Sequence, residues 1–473
     1  MQSPSIVTYS LQRSRCVSRT ISWGRTLKRT LNRLAGTALH CVLSILVPVL
    51  LPVNLLATDG HFLHGAGPVN EAMGGADTGL CLDATGAIAW NPACTVLFNK
   101  HRIEFHGTVF VPWRSLSSTV DASAFGSGMP AVTLQGTTIS HRDTSLMPGF
   151  AFVDHPEGSR TAYHIAMLAV SGFGVDYNQN TNFSNPILTP QAPNGFGFGK
   201  IQSNYALITA PVGLSRQITD RLSAGVSVVP AFSMLKVIPA PFAAPVTAGS
   251  TMPYYLSASN NAKALGIGLQ AGVQYQANKV FGLGASYHST TWFHRFNWQA
   301  ADLASGNHNL SFLMDLPQFV SMGIGVTPST RTHIGMDARW FDYANTAGFD
   351  KSGYNSDGSV AGFGWHSIWA FGGGVEQQIS RSTRLIAGYN YSQNPIPSQY
   401  TFFNSPAPAI VQHHVSGGVV ESIRSWELNI TYYHAFQNSI TGPWVSAQGA
   451  IRGTSITSRM SENSLTIGLS RTF

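Results

Sequence analysis

Beyond residue 100, apolar and polar residues alternate along many short stretches of the chain. In the last stretch, 464–473, leucine, isoleucine and the terminal phenylalanine share one face, and small polar residues share the other. The same period of two recurs at 262–277, 330–345 and 382–393. Because successive side chains of a strand point to opposite faces, this pattern predicts strands that separate an apolar medium from a polar one.

Short turns alternate with long connections rich in Gly, Pro, Asn and Ser. They delimit strands predicted at 101–112, 145–155, 160–175, 201–217, 220–235, 262–277, 279–297, 307–327, 330–345, 366–379, 382–393, 410–421, 423–437 and 463–473. Short turns at one rim and long loops at the other are typical of outer-membrane barrels, and closure leaves no unpaired edge in the bilayer. We predict an all-β membrane protein, a fourteen-stranded antiparallel barrel over 101–473. A soluble β-sandwich is the alternative.

The composition favours a barrel over a soluble protein or a helical transporter. Charged residues make up 10% of the chain, against about 25% in soluble proteins, and the mean hydropathy of +0.05 is intermediate. Transmembrane strands give such a value because one face meets lipid and the other a polar lumen. After the leader, no run of about 18 apolar residues is present, which excludes a bundle of membrane-spanning helices.

Residues 1–57 have the three parts of a secretory signal peptide. A basic region runs to Arg33, an apolar run covers 34–56, and Leu55 and Ala57 suit a cleavage site. We predict cleavage before Thr58; an uncleaved anchor helix is the alternative. Seven basic and no acidic residues lie in this leader, so it carries the whole net charge of +7. The basic charge therefore gives no reason to expect nucleic-acid binding.

Two cysteines remain after the leader, Cys81 and Cys94, in a compartment that is oxidising. A disulfide between them would contribute on the order of 3 kcal/mol by the loop-entropy model. Two unpaired buried thiols are the alternative.

Residues 58–100 lack the strand pattern and are rich in Gly and Ala. Their stretches 58–67, 73–77 and 83–93 resemble the start of the FadL-type outer-membrane transport proteins, a family that includes proteins for aromatic hydrocarbons such as toluene. The triplet Asn91, Pro92 and Ala93 is the most recognisable mark of the resemblance. The segments 316–340 and 384–397 resemble the mid-barrel segment and a later hairpin of the same family.

The resemblance implies both an architecture and a function. Residues 58–100 would form a hatch, or plug, inside the lumen. Hydrophobic substrate would enter a groove among the long loops, pass to a pocket beside the hatch and leave sideways through a gap at a kinked third strand. We therefore expect a monomer of the bacterial outer membrane for passive transport of long-chain fatty acids, with aromatic or other hydrocarbons as the variant. Its other expected partners are outer-membrane lipid, lipopolysaccharide and the barrel-insertion machinery.

Several residues are candidates for parts of this route. Gly172 and Gly174 in the third strand could mark the kink, although ordinary strand glycines are an equal explanation. The apolar stretch 231–255 predicts a capture surface, unless part of it continues its strand; the residues chosen there are Phe232, Met234, Leu235 and Phe242. Arg339 and His333 fall on the predicted lumen face, where a cation could meet a substrate carboxylate.

No stretch carries the chemistry of an enzyme or a metal site. The pairs His61 with His64 and His413 with His414 lack a carboxylate or cysteine partner at ligand spacing. We expect no cofactor, no metal and no catalysis. Two rivals remain open: a general diffusion porin with an open polar lumen, and a barrel enzyme or adhesin.

Overall fold

The computed structural model describes residues 59–98, 100–142, 144–182, 184–250 and 252–473. The predicted signal peptide and the cleavage site before Thr58 lie outside these residues. The described chain forms a closed barrel of fourteen antiparallel strands, which confirms the predicted strand count. No helix in this part of the chain is long and apolar enough to cross a membrane.

The wall strands, several of them interrupted, follow one another in chain order around the barrel. They are β1 Arg102–Val120, β2 Leu134–Ile139 with Ser145–Asp154, β3 Thr161–Tyr177, β4 Ile201–Thr209 with Val212–Gln217, β5 Leu222–Ile238, β6 Ala262–Gln276, β7 Phe281–His288 with Trp292–Phe293, β8 Phe319–Ser329, β9 Thr332–Phe341, β10 Ile368–Gln378, β11 Thr383–Ser392, β12 His413–Ile423, β13 Trp426–Gly442 and β14 Thr454–Thr472. Strand β14 pairs with β1, from Arg102 opposite Thr472 to Val120 opposite Thr454, and so closes the wall.

Each wall strand has one outward apolar face and one inward face of small or polar residues. On β14, Leu465 and Ile467 are more than two-fifths exposed, whereas Ser464 and Thr466 are buried. The outward face meets lipid, and the inward face meets whatever fills the lumen. The alternation in the sequence therefore identified the two faces as well as the strands.

The seventh and eighth predicted strands are partly wrong. Wall strand β7 ends at Phe293, and Phe296–Ala301 pairs instead with Asn307–Phe312 in a separate hairpin. Alternation continues through this hairpin because one of its faces is also buried, so period two cannot distinguish it from the wall. The connections predicted between the first two strands and before the last strand are shorter than expected, because β1 and β14 extend into them. A second small hairpin pairs Val445–Ser446 with Gly449–Ala450.

Residues 59–98, called the N-terminal segment from here on, are almost entirely buried. The segment contains two short helices, α1 Pro68–Ala72 and α2 Ala84–Trp90, and a 3-10 turn at Pro92–Leu97. The side chain of Asp83 caps α2 by accepting the Gly86 N–H, as N-terminal aspartates commonly do. In the structure, Cys81 and Cys94 form a disulfide within the segment.

Candidate functional site

Glycines on the inward face of the wall let the N-terminal segment approach the strand backbones. A Cβ atom on Gly374 would lie 2.7 Å from Met73 Cα, and one on Gly225 would lie 2.5 Å from the Pro92 carbonyl carbon. Both distances are too short for a real side chain. The segment therefore packs directly against main chain, which explains why small residues recur on this face.

The Asn91, Pro92 and Ala93 triplet joins the segment to the wall. The Asn91 amide donates to the carbonyl of Thr78 at 2.9 Å and to that of Val273, on β6, at 3.0 Å. Its side-chain oxygen accepts the Ala93 N–H, and Pro92 begins the 3-10 turn. The triplet thus links two parts of the segment to one wall strand.

Two carboxylates of the wall accept backbone N–H groups of the segment. Glu104 on β1 accepts the N–H groups of Ala84 and Thr85, at 3.0 and 2.9 Å, at the start of α2. Asp337 on β9 accepts those of Asp77 and Thr78, at 3.0 and 2.9 Å. Hydrogen bonds to an ionised acceptor are the stronger kind, so these two side chains anchor the segment at separate points.

Arg339 lies beside Asp337 and makes several contacts with the segment. Its guanidinium is 3.0 Å from the Asp337 carboxylate, donates to the carbonyls of His64 and Gly75, and lies 3.6 Å from the centroid of the Trp90 ring. The structure places it inside the lumen, as the sequence predicts, but in contact with the segment rather than in a cavity. The other candidate cation, His333, lies near the short turn after β8 and contacts Thr327, at 3.3 Å.

An inner cavity of about 60 Å³ lies between the segment and the wall strands β3 to β8. Its aromatic lining is Phe62, Trp90, Phe319 and His288, and most of the remaining lining is apolar. The His288 ring stacks on Phe319 with centroids 3.9 Å apart. Among the described lining residues there is no Lys, Arg, Asp or Glu, so the cavity suits an uncharged ligand.

A second, outer pocket of about 30 Å³ lies among the long loops. Its lining includes Phe198, Ile238, Pro239, Val360, Phe402 and Phe403. These residues come from four separate parts of the chain, so no local pattern could have grouped them. The apolar chemistry of the loops was nevertheless visible in the sequence.

The predicted capture residues divide between the two faces of β5 and its following loop. Phe232 and Met234 were wrong as capture residues, because β5 continues to Ile238 and places them on its outward face. Leu235 faces the lumen and is buried. Phe242 lies in the loop and stacks on Phe312, with centroids 4.0 Å apart.

A series of aromatic rings in mutual contact connects Phe242, in the loop after β5, with Phe319 at the inner cavity. The successive contacts, with their centroid distances, are Phe242 to Phe363 at 5.2 Å, Phe363 to Phe173 at 5.9 Å, Phe173 to Tyr205 at 4.9 Å, Tyr205 to His61 at 5.9 Å, His61 to Phe62 at 5.3 Å and Phe62 to Phe319 at 5.6 Å. Two of these rings, His61 and Phe62, belong to the N-terminal segment. The ring contacts between the loop after β5 and the inner cavity therefore run through the segment.

The wall is irregular where β3 leaves β2. Their pairing stops at Gly149 opposite Leu168, and β3 has a bulge between Ala169 and Ser171. Beyond the bulge, the segment supplies hydrogen-bond partners for the backbone of β3. The Leu63 N–H donates to the Val170 carbonyl at 3.0 Å, and the His61 carbonyl accepts the Gly172 N–H at 3.1 Å.

A small cavity opens at this irregularity, lined by Leu63, Ala66, Met147, Pro148 and Ala169 among others. It shares Leu63 and Ala66 with the inner cavity. The bulge lies just before the predicted kink residue Gly172. Gly174, farther along, leaves space for Arg142, whose Nε would lie 2.5 Å from an added Cβ.

Comparisons with known proteins point to one family. A family model described as outer membrane protein transport protein (OMPP1/FadL/TodX) matches residues 64–406. The Pseudomonas putida toluene transporter TodX aligns at 16% identity and a TM-score of 0.65, over 87% of this chain and 99% of that one. The Ralstonia pickettii toluene transporter TbuX aligns at 19% and 0.60 over 87% and 99%.

A Pseudomonas aeruginosa FadL homologue aligns at 14% identity and a TM-score of 0.65, over 88% of this chain and 100% of that one. At these identities the solved structures show a shared fold. Among curated proteins, no sequence matches the chain.

Proposed function

The chain belongs to the FadL/TodX family of outer-membrane transport proteins, and on that premise we propose that its substrates are uncharged hydrophobic compounds, aromatic hydrocarbons first among them. The family consists of outer-membrane channels for hydrophobic compounds, and this chain is such a bacterial outer-membrane barrel. In this proposal the N-terminal segment is the hatch, the barrel acts as a monomer, and transport is passive.

The lining of the inner cavity supports the proposed class of substrate. Its described lining offers aromatic rings and apolar side chains but no cation, and Arg339 is already occupied by Asp337 and the segment. Moving a carboxylate there without a partner would cost several kcal/mol. Apolar surface, in contrast, gains about 25 cal/mol per Å² on leaving water. The cavity therefore favours a compact uncharged molecule.

Long-chain fatty acids, which the sequence resemblance implies, are the second candidate. The observation in their favour is that the inner cavity and the cavity at the wall irregularity share lining residues, so an extended chain would fit if the segment shifted. His288 is the one titratable side chain of the described inner lining, and it would have to meet the carboxylate.

The proposed route begins at the outer pocket and ends in the membrane. Substrate leaves the outer pocket along the aromatic rings when His61 and Phe62 move aside. The hydroxyl of Tyr343 holds this part of the segment closed: it donates to the Asp59 carbonyl at 3.0 Å and accepts the His61 N–H at 3.1 Å. From the inner cavity, substrate then passes to the irregularity between β2 and β3.

The exit explains why the segment lies against β3. Backbone groups inside a bilayer must have hydrogen-bond partners, and Val170 and Gly172 receive theirs from the segment. While the segment is in place, the irregularity is sealed. When the segment moves, the same irregularity becomes a lateral opening, and the substrate enters lipid without returning to water.

A cavity-filling substitution tests this proposal. Val229 faces the inner cavity, while its neighbour Val228 faces lipid and is 45% exposed. We expect Val229→Phe to reduce uptake of labelled toluene at least about fivefold in cells without another transporter, because overpacking fills the cavity. The matched control, Val228→Phe, should transport normally.

The same uptake assay with labelled oleate separates the two candidates. The proposal is supported if Val229→Phe loses toluene uptake while oleate uptake is weak in both the wild type and the variant. Strong oleate uptake by the wild type that Val229→Phe abolishes would favour the fatty acid. Wild-type toluene uptake by Val229→Phe would contradict the assignment of the cavity.

A further inference from the structure

Two lysines occupy equivalent places on the outward face of neighbouring strands. On β5 every outward residue from Ala224 to Met234 is apolar, and the next is Lys236. On β6 every outward residue from Tyr275 to Leu265 is apolar, and the next is Lys263. Among the described residues, these are the two lysines that the wall strands contain.

The length of each apolar stretch places both lysines at the membrane surface. Ten residue steps cover about 33 Å along a strand, or about 25 Å along the membrane normal for a strand tilted by about 40°. This height equals the apolar band of outer-membrane barrels, about 25 Å. Both lysines lie at the end with the long loops, so their ammonium groups are at the level of the outer-leaflet headgroups.

Other cations join the lysines at this level. Lys263 on β6 lies directly opposite Met234 on β5. Lys236 is two residues after Met234, so the two lysines are diagonal neighbours on the same face of the sheet. Arg295 is exposed and follows His294, whose N–H donates to the Leu265 carbonyl at 3.2 Å. On the opposite side, Lys236 faces Asn204, which accepts a hydrogen bond from the Arg142 guanidinium at 2.9 Å.

The acidic residues of this region are engaged elsewhere. Asp176 pairs with Lys200 at 2.8 Å, and Asp302 pairs with His308 at 2.7 Å. In the described part of the chain, no ion pair involves Lys236, Lys263 or Arg295. Neighbouring like charges on one face of a sheet repel each other, and an anion bound between them would reduce that repulsion.

We propose that Lys236, Lys263 and Arg295 bind the phosphate groups of one lipopolysaccharide molecule, whose acyl chains lie on the apolar surface below. That surface is ready for acyl chains, because Leu265, Ile267 and Trp292 are each more than half exposed. Lipopolysaccharide is the anionic lipid of the outer leaflet, and basic clusters beside an apolar band are the usual binding sites of anionic lipids. The site is independent of the compound that the barrel transports.

Native mass spectrometry of the mature chain, refolded without lipid in a neutral detergent, tests the site. The chain is titrated with bisphosphorylated lipid A, with lipid A lacking its phosphates, and with inorganic phosphate alone. The test variant carries Lys236→Gln, Lys263→Gln and Arg295→Gln. The matched control carries Arg221→Gln, Lys279→Gln and Arg331→Gln, which removes as many exposed charges at the rim with the short turns. Heat-dependent migration on a gel verifies that each variant is folded.

We expect the wild type and the control to hold one bisphosphorylated lipid A molecule. The test variant should bind it about a hundredfold more weakly, since each of the three lost cations near a charged surface removes roughly a factor of five in affinity. Lipid A without its phosphates should bind the wild type weakly. Its affinity should equal that of bisphosphorylated lipid A for the test variant. Equal affinity in the wild type and the test variant would overturn the site. So would inorganic phosphate binding as tightly as lipid A, which would indicate a simple anion site.

Discussion

The wall and the N-terminal segment are built on opposite principles. The wall is held by continuous main-chain pairing, such as that of β1 with β14, so its side chains are free to match lipid or lumen. The segment has little regular structure and is held mainly by side chains from many wall strands, among them Glu104, Asp337 and Arg339. Because these bonds come largely from side chains, displacing the segment would leave the pairing of the wall strands with one another intact, as the proposed hatch requires.

Removing Arg339 should have the largest effect, because it should loosen the N-terminal segment without loosening the wall. Arg339→Ala leaves the Asp337 carboxylate buried without its cation, a change that typically costs about 3–5 kcal/mol. We expect faster hydrogen exchange throughout residues 59–98 and unchanged exchange in the wall strands. Arg331→Ala is the control, because Arg331 is exposed at the turn before the same strand. Unchanged hydrogen exchange in the N-terminal segment of Arg339→Ala would show that Arg339 does not hold the segment against the wall.

A pair of adjacent glycines on β10 sharpens the comparison, with a smaller effect. A Cβ atom on Gly374 would meet Met73, whereas one on the outward Gly373 would find its nearest atom 3.5 Å away. Gly374→Val should therefore weaken docking of the segment by about 1–3 kcal/mol through overpacking, and Gly373→Val should leave it unchanged. Protease sensitivity of the segment in the folded barrel measures both. Equal sensitivity in the two variants would contradict the direct packing of segment on wall.

The smallest expected effect is a pH dependence confined to the segment. Burial raises the pKa of Glu71 to about 8 and that of Asp59 to about 7. In the docked state these carboxyls keep protons that a displaced segment releases near pH 4–5, so docking loses stability as pH rises towards 8. Burial lowers the pKa values of His61 and His64 to about 3 and 4, so both are neutral in the docked state. When displaced they are about half protonated at pH 6.5, which gives a smaller effect of the opposite sign that vanishes above about pH 8.

Exchange of the segment should accordingly be faster at pH 9 than at pH 6.5, after correction for the intrinsic effect of pH on exchange. Glu71→Gln should reduce this difference, since its side chain carries no proton to release. A difference of the same size in Glu71→Gln would exclude Glu71 as the source.

The sequence was informative where structure depends on neighbours along the chain. Period two identified most of the strands, because one lipid face and one lumen face are local properties of each strand. The same signal misassigned Phe232 and Met234, since an apolar stretch of strand and an apolar loop have the same composition. It also merged the start of Phe296–Ala301 with β7 and the second hairpin arm, Asn307–Phe312, with β8.

The site depended on partners far apart in the chain. Arg339 was correctly assigned to the lumen face, but its contacts with His64 and Gly75 span more than 260 residues. Nothing near Arg339 in the sequence indicates those partners. The outer pocket likewise combines Phe198, Val360 and Phe402 from three different loops, so only a folded chain reveals it.

The ion conductance of the wild-type barrel in a planar bilayer tests the closed lumen most directly. Because the N-terminal segment packs against the inward faces of the wall strands and the inner cavity beside it is small, we expect no large, stable current step. A variant lacking residues 59–98 should conduct steadily, which shows that the barrel itself has inserted. A large stable current from the wild type would contradict the account and would identify the chain as an open porin.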